Sequence, residues 1–303
     1  MLSHYPVLLC VTCNQGVSLP SEQTSAAVRC ANCGHVYQWH DGILVLDSVA
    51  NQHDYPDDVY RLLAEIEPDH FWFSGRNAVI IQMLRRSIGA LEQRSVLDIG
   101  CGTGFVLAAF ERAGMTTCGL DMHLAGLRYA RRRVEGLLLC QGAARIPFSQ
   151  QFDIVTLCDV IEHVPDDSAV LREAQRALGK QGVVLVTVPA NPGLWTVLDE
   201  VSGHKRRYTR ETLTRAMERA GLRVMAVRYF NTLLLPIQRL QRRLLGWRQR
   251  GAGDDALQIF RQSLRVPPSP FNQIFRLAMA ADVPLSRLPI PFGASLIAIG
   301  KPA

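Results

Sequence analysis

The sequence predicts an α/β chain: a doubly wound, seven-stranded sheet preceded by a small metal-stapled module. Three observations predict it. Short apolar runs alternate with helical segments from Ser95 onward, a glycine-rich turn closes the first of those runs, and two Cys-x-x-Cys pairs stand near the start. At 303 residues the chain can bury one large core and still carry an appended module. Hydrophobic residues make up 48% and charged residues 20%, a globular balance. No run of about 20 apolar residues can span a bilayer, and no cleavable leader is read at the Met1 end. A cytoplasmic protein is therefore expected. The net charge of +6 suits nucleic acid, anionic lipid or an acidic metabolite and selects none of them.

Cys10-Val-Thr-Cys13 and Cys30-Ala-Asn-Cys33 are separated by 16 residues, a spacing at which two knuckles bring four thiolates around one structural zinc ion. Asp41-Gly42 lies between two short apolar stretches, Val36 to Trp39 and Ile43 to Leu46, and reads as a hairpin turn. Residues 1–48 are thus expected to form a zinc ribbon, either as a staple for a core too small to stand alone or as a docking surface for a protein partner. The other cysteines, Cys101, Cys118, Cys140 and Cys158, sit in apolar stretches and read as buried reduced thiols. Residues 49–92 are a helical linker, polar around Tyr55 and Pro56. Within it, Phe71, Trp72 and Phe73 either dock the helix on the core or form a flap over a bound ligand, with Arg76 meeting the ligand's carboxylate.

Apolar runs at 95–99, 116–121, 137–141, 153–158, 183–188, 222–230 and 294–299 supply seven strands, and helical stretches near 104–114, 123–134, 166–179 and 209–220 fill the gaps. The catalytic domain then spans 93–303, with an inserted cap at about 231–290 between the last two strands. Gly100, Gly102 and Gly104 stand where the first strand becomes a helix, so the backbone can approach a ligand closely. A diphosphate would be repelled by Asp98 just before this turn, whereas the ammonium and sulfonium of S-adenosylmethionine would be attracted. Asp121 closes the second strand at a distance that suits both ribose hydroxyls, and Ala143 and Ala144 after the third strand leave room for adenine.

Val96-Leu-Asp-Ile-Gly-Cys-Gly-Thr-Gly104, Gly119-Leu-Asp121 and Phe152-Asp-Ile-Val-Thr-Leu-Cys-Asp-Val-Ile-Glu-His-Val164 resemble the ordered motifs of class I S-adenosylmethionine-dependent methyltransferases, in particular the type 11 and ubiquinone-pathway members. The resemblance covers residues 95 to about 230 and the last strand. It implies a Rossmann-like sheet of order 3-2-1-4-5-7-6 with the last strand antiparallel. It also implies that Asp98, Gly100, Gly102, Asp121, Met122, Ala144 and Cys158 line the cofactor. The ribbon, with its Asp41-Gly-Ile-Leu-Val45 end, is similar to the small zinc-binding activator of tRNA and translation-factor methyltransferases.

An acceptor hydroxyl or amine must lose a proton as it takes the methyl, and histidine is the natural base near neutral pH. His163 after the fourth strand and His204 after the fifth are the candidates. Asp159, Glu162 and His163 resemble the ligands of metal-dependent ubiquinone-pathway O-methyltransferases, with Asp in place of the first Glu, so a Mg2+ ion is one expectation and a helix-bridging His163 another. Trp195, Arg206, Arg207 and Tyr208 surround His204 in sequence and suit recognition of an anionic or hydroxylated acceptor; a solvated basic turn is the plainer reading. Farther on, Ile237, Leu240, Leu244 and Trp247 fall on one helical face, with Arg239, Arg242, Arg243 and Arg250 opposite. This helix either caps the acceptor site or lies peripherally on the inner membrane surface. The leading function is methyl transfer to a small-molecule or lipid-linked acceptor. The alternatives are a zinc-ribbon RNA methyltransferase acting on rRNA or tRNA, disfavoured because no Asn-Pro-Pro-Tyr-like segment follows the fourth strand, and a non-catalytic cofactor-binding partner.

Overall fold

The computed structural model describes residues 6–20, 27–46, 57–248, 261–262 and 264–303. Tyr55, Pro56 and the junction between ribbon and linker lie outside the described residues, as do Arg250 and the side chains of Arg243, Leu244 and Trp247. The ribbon contributes β1 (Leu8–Leu9), β2 (Gly16–Val17), β3 (Val28–Arg29), β4 (Val36–His40) and β5 (Ile43–Val45). Helices α1 (Asp57–Ile66) and α2 (Phe71–Ile88) lead into the alternating domain. There β6 (Ser95–Ile99), α3 (Phe105–Arg112), β7 (Thr116–Asp121), α4 (Leu124–Arg131) and β8 (Leu137–Cys140) build one half. The other half is β9 (Phe152–Cys158), α5 (Asp167–Ala177), β10 (Leu178–Pro189), α6 (Val197–Val201), α7 (Arg210–Arg219) and β11 (Leu222–Phe230). Helices α8 (Leu235–Arg248) and α9 (Phe271–Leu285) precede the final strand, β12 (Ser295–Pro302).

Every expected strand is present. From edge inward the domain strands run β8-β7-β6-β9-β10-β12-β11, with β12 antiparallel to both neighbours, which is the order the sequence motifs implied. Parallel strands covered on both faces are apolar throughout rather than alternating, and β8 and Val183–Val188 of β10 are buried at every residue. Their side chains feed two cores. Leu97, Ile99, Val155 and Leu157 meet α5 and α7 on one face, while Val96, Leu138 and Ile154 meet α2, α3 and α4 on the other.

The ribbon does not stand apart. Its β5 pairs in parallel with β8, Leu44 opposite Leu139 and Val45 opposite Cys140, so β5, β4 and β3 extend the sheet to ten strands. Leu9 N–H donates to Pro147 O at 2.7 Å, Gln151 exchanges two hydrogen bonds with Val7, and the ribbon core is continuous with the α5 face. Within the insertion, α9 crosses α2 where Gly75 leaves room for Met279; a Cβ at Gly75 would lie 2.6 Å from that side chain. No described helix is long and apolar enough to cross a membrane.

Candidate active site

The glycine turn occupies the C-terminal edge of the sheet, where open α/β folds bind ligands. Gly100 and Gly102 have φ of 74° and 52°, and a Cβ at Gly100 would lie 2.5 Å from Val160, whereas one at Gly102 would enter open space. The turn is thus shaped by packing on one side and left open on the other. Asp98 is buried, accepts from Thr156 Oγ1 at 2.6 Å, and is pushed up to about 7 by burial, against the lowering effect of that bond and of Arg76. Asp121 accepts from the N–H of Gly102 and of His123, both at 2.8 Å. It therefore ties the strand end to the turn and retains lone pairs for a ligand. Cys158 and Arg76 complete this edge: burial drives the Cys158 thiol well up, and the Arg76 guanidinium donates to Asp159 at 2.5 Å.

Helices α1 and α2 lie across the turn. Thr103 Oγ1 donates to Glu67 at 2.6 Å, Arg133 pairs with the same carboxylate, and Asn77 donates to Phe105 O at 3.0 Å. Tyr60 sits against His123 with ring centroids 5.6 Å apart. Glu67, Asn77 and Arg133 carried no motif, so sequence reading passed over them; only the polar–aromatic density around Phe71 hinted at a cover.

Beside this edge opens a cleft of about 570 Å³, lined by Trp72, Arg76, Glu162, His163, His204 and Arg242 among others. Asp199, almost fully buried, organises its floor. His204 Nδ1 lies 3.0 Å from Asp199 Oδ1, Arg207 NH2 is 2.6 Å from the same oxygen, and Arg242 is 3.1 Å from Oδ2. Burial opposes ionisation of Asp199, yet the bonds from His204 and Arg207 hold it well below the usual carboxylate range. The His163 and His204 rings meet edge to face at 4.8 Å. Burial, with His204 adding to it, lowers His163 to about 4 and keeps it neutral near pH 7. Glu162 is fully buried, raised well above the usual carboxyl range by burial, and both its oxygens lack a partner among the described residues. Ligand atoms of Glu162, His163 and His204 lie within 4.8 Å of one another, while Asp159 is occupied by Arg76.

The remaining candidates are distributed differently. Tyr208 is buried with its hydroxyl donating to Asp167 at 2.8 Å, and Arg206 donates to Val164 O and Pro165 O and pairs with Asp167. Trp195 is half-exposed and donates to Glu200. Met122 follows β7 and Ala143 follows β8 at the same sheet edge, Ala143 packing toward the α5 face, and Ala144 borders an outer groove with Arg172 and Arg219. Of the basic loop, His204 and Arg207 reach the cleft.

In the ribbon the Sγ pairs Cys10–Cys33 and Cys13–Cys30 are each 3.6 Å apart, and all four sulfurs lie within 4.8 Å. Tetrahedral zinc with bonds of about 2.3 Å requires sulfurs roughly 3.8 Å apart, so the donor set fits. Both knuckles fold alike: Asn14 N–H returns to Cys10 O and Gly34 N–H to Cys30 O. Burial resists ionisation of Cys10, yet hydrogen bonds from Tyr37 and the knuckle bring it down to about 5. At Cys33 a lowering backbone hydrogen bond from His35 is outweighed by burial and the neighbouring sulfurs, which push it up, so the cluster shares negative charge unevenly without a cation among the sulfurs.

Residues 50–227 match the model of a family described as a methyltransferase domain. The ubiquinone biosynthesis O-methyltransferase of Pseudomonas entomophila is 35% identical over 111 residues, 34% of this chain and 48% of that protein. The chain spans about half the length of the curated relatives it matches. Among solved structures, phosphoethanolamine N-methyltransferase 2 of Haemonchus contortus, in complex with S-adenosyl-L-methionine, aligns at 18% identity with a TM-score of 0.56, over 84% of this chain and 59% of that one. A chain of the Haloferax volcanii complex between the Trm112 methyltransferase activator and a methyltransferase aligns at 18% identity and a TM-score of 0.52, over 80% and 98%. At these identities the solved structures speak to the fold.

Proposed function

The chain belongs to the methyltransferase-domain family; from that premise we propose that it is a class I S-adenosylmethionine-dependent methyltransferase and that it methylates a hydroxyl group on an amphiphilic, small-molecule or lipid-linked acceptor. The observation that carries this reading is His204, held through Nδ1 by buried Asp199 and facing the cleft beside the glycine turn. In this reading Asp98, Gly100, Gly102, Gly104, Asp121, Met122, Ala143 and Cys158 hold the cofactor, and Arg76 approaches its carboxylate. The cofactor supplies an activated methyl. His204 Nε2 accepts the acceptor's hydroxyl proton, and Asp199 fixes the tautomer and stabilises the imidazolium. Arg207 and Arg242 keep Asp199 ionised and still, while Arg206, Tyr208 and Trp195 brace the loop. The O-methyltransferase relatives support hydroxyl rather than nitrogen as the acceptor atom.

Glu162, His163 and His204 would alternatively hold a divalent cation, which would lower the pKa of a bound hydroxyl. An imidazole-rich set suits a zinc- or iron-like ion better than magnesium. The ribbon's zinc is assigned to Cys10, Cys13, Cys30 and Cys33 in a structural role within the chain. Incubating the chain with labelled S-adenosylmethionine and a panel of phenolic amphiphiles, then locating the methyl by mass spectrometry, tests the reading. O-methylation is expected, and added Zn2+, Fe2+ or Mg2+ is expected not to stimulate it if His204 acts as the base. Methyl found on nitrogen, carbon or added RNA contradicts it.

A further inference from the structure

On an ordinary surface helix the apolar face is buried and the basic face meets water. Helix α8 departs from this in part. Leu235 is buried and Arg239 exposed, but Ile237 is 49% exposed and Leu240 60% exposed, on one stripe with Leu233, and Arg242 is drawn inward onto Asp199. Helix α9 also exposes an apolar stripe. Its inner face packs Met279 against α2, and its outer face presents Ile274 and Leu277, the latter 72% exposed. Both helices also line the cleft, through Gln238, Gln241 and Arg242 of α8 and Phe275 of α9. Each helix thus carries an exposed apolar stripe and also contributes side chains to the cleft lining.

Charge concentrates in the same stretch. Residues 231–292 contain nine arginines and three aspartates, whereas the rest of the chain carries 24 basic and 24 acidic residues, so the whole net charge of +6 resides in the cap. Arg239, Arg265 and Arg287 are exposed and have no ion-pair partner among the described residues. Aliphatic side chains facing outward amid arginines that have no ion-pair partner among the described residues match a bilayer interface with anionic headgroups, which accepts both the apolar stripe and the charge. RNA would reward the charge but not Leu240 or Leu277.

We propose that the outer face of α8 and α9 docks on an anionic phospholipid membrane and seats the mouth of the cleft at the lipid surface. This deepens the amphiphilic-acceptor reading by naming where such an acceptor would enter, but the docking stands on the surface alone.

The test is co-sedimentation of the full chain with phosphatidylcholine vesicles, with and without about one third phosphatidylglycerol, at low and high salt. Binding is expected to rise about tenfold or more with phosphatidylglycerol and to fall at high salt. It is expected to drop about tenfold in the L240Q/L277Q double variant and by a similar factor in R239Q/R287Q. Cofactor affinity, measured calorimetrically on the same samples, is expected to be unchanged and certifies that the variants fold. Equal binding to neutral vesicles, or no effect of L240Q/L277Q, overturns the proposal. So does a dimer in light scattering that L240Q/L277Q dissociates, or retention on a structured RNA that exceeds vesicle binding and survives L240Q/L277Q. Vesicle binding without O-methylation would refute only the acceptor reading.

Discussion

If Asp98 faces the cofactor as proposed, it couples the sheet edge to that ligand through one proton. A carboxyl that ionises near 4 in the unfolded chain is pushed up to about 7 in the fold by burial. Between those values the folded chain binds more protons than the unfolded one, so this stabilising contribution is full below about 4 and is lost as pH rises through 7. A cationic ligand beside Asp98 restores the carboxylate. Cofactor affinity measured by calorimetry should accordingly fall as pH drops below 7, approaching about tenfold per unit, with a proton released on binding at pH 6. In Asp98→Asn the slope should vanish and affinity weaken; a pH-independent wild type would contradict the assignment. His70 runs the other way. Burial, with Arg276 nearby, lowers it to about 4, and its Nδ1 accepts from Trp72 N–H at 3.1 Å as the cap of α2. The unfolded chain binds the extra proton between about 6.5 and 4, so this contribution is present above 6.5 and is lost as pH falls through 4. His70→Asn should keep the cap while flattening the acid limb of thermal stability, and His70→Ala should cost about 1 kcal/mol at neutral pH.

Elements with local constraints were legible in the sequence. The strand from Ser95, the glycine turn and the acid closing β7 each follow from neighbours within a few residues, and their observed bounds differ little from the expected ones. Longer reach was not legible. The pairing of Leu44 with Leu139 joins residues almost a hundred positions apart, and nothing in either tetrapeptide specifies the other. Tyr208 and Arg206 read as acceptor ligands because their partners, Asp167 and two backbone carbonyls, become visible only once α5 is in place. The apolar stripe of α8 was legible, but the outward placement of Ile237 and Leu240 was not, nor was the pairing of Arg242 with Asp199 more than forty residues away. The ribbon pairing yields a prediction at this scale. Purified chain should carry one equivalent of ribbon zinc, and a Cys13→Ser variant or a strong chelator should remove it and raise amide exchange both in β5 and in β8. Exchange that rises in the ribbon alone would mean that the extended sheet does not depend on the metal.

At the scale of the whole molecule the chain divides labour across one sheet edge. In the proposed reading the turn between β6 and α3, covered by α1 and α2, would hold the methyl donor, and the loop after β10 with the two cap helices would hold the acceptor. Arg76 and Asp159 stand at the seam, paired at 2.5 Å. If the halves act as separate devices, damage to one should leave the other's binding intact. The direct measurement is single-turnover methyl transfer in wild type and His204→Ala, with S-adenosylmethionine affinity measured on the same preparations. Cofactor affinity should stay within about twofold while the transfer rate falls by about 10²–10⁴-fold. Transfer at the wild-type rate in His204→Ala would contradict the assignment of the acceptor proton to the Asp199–His204 pair.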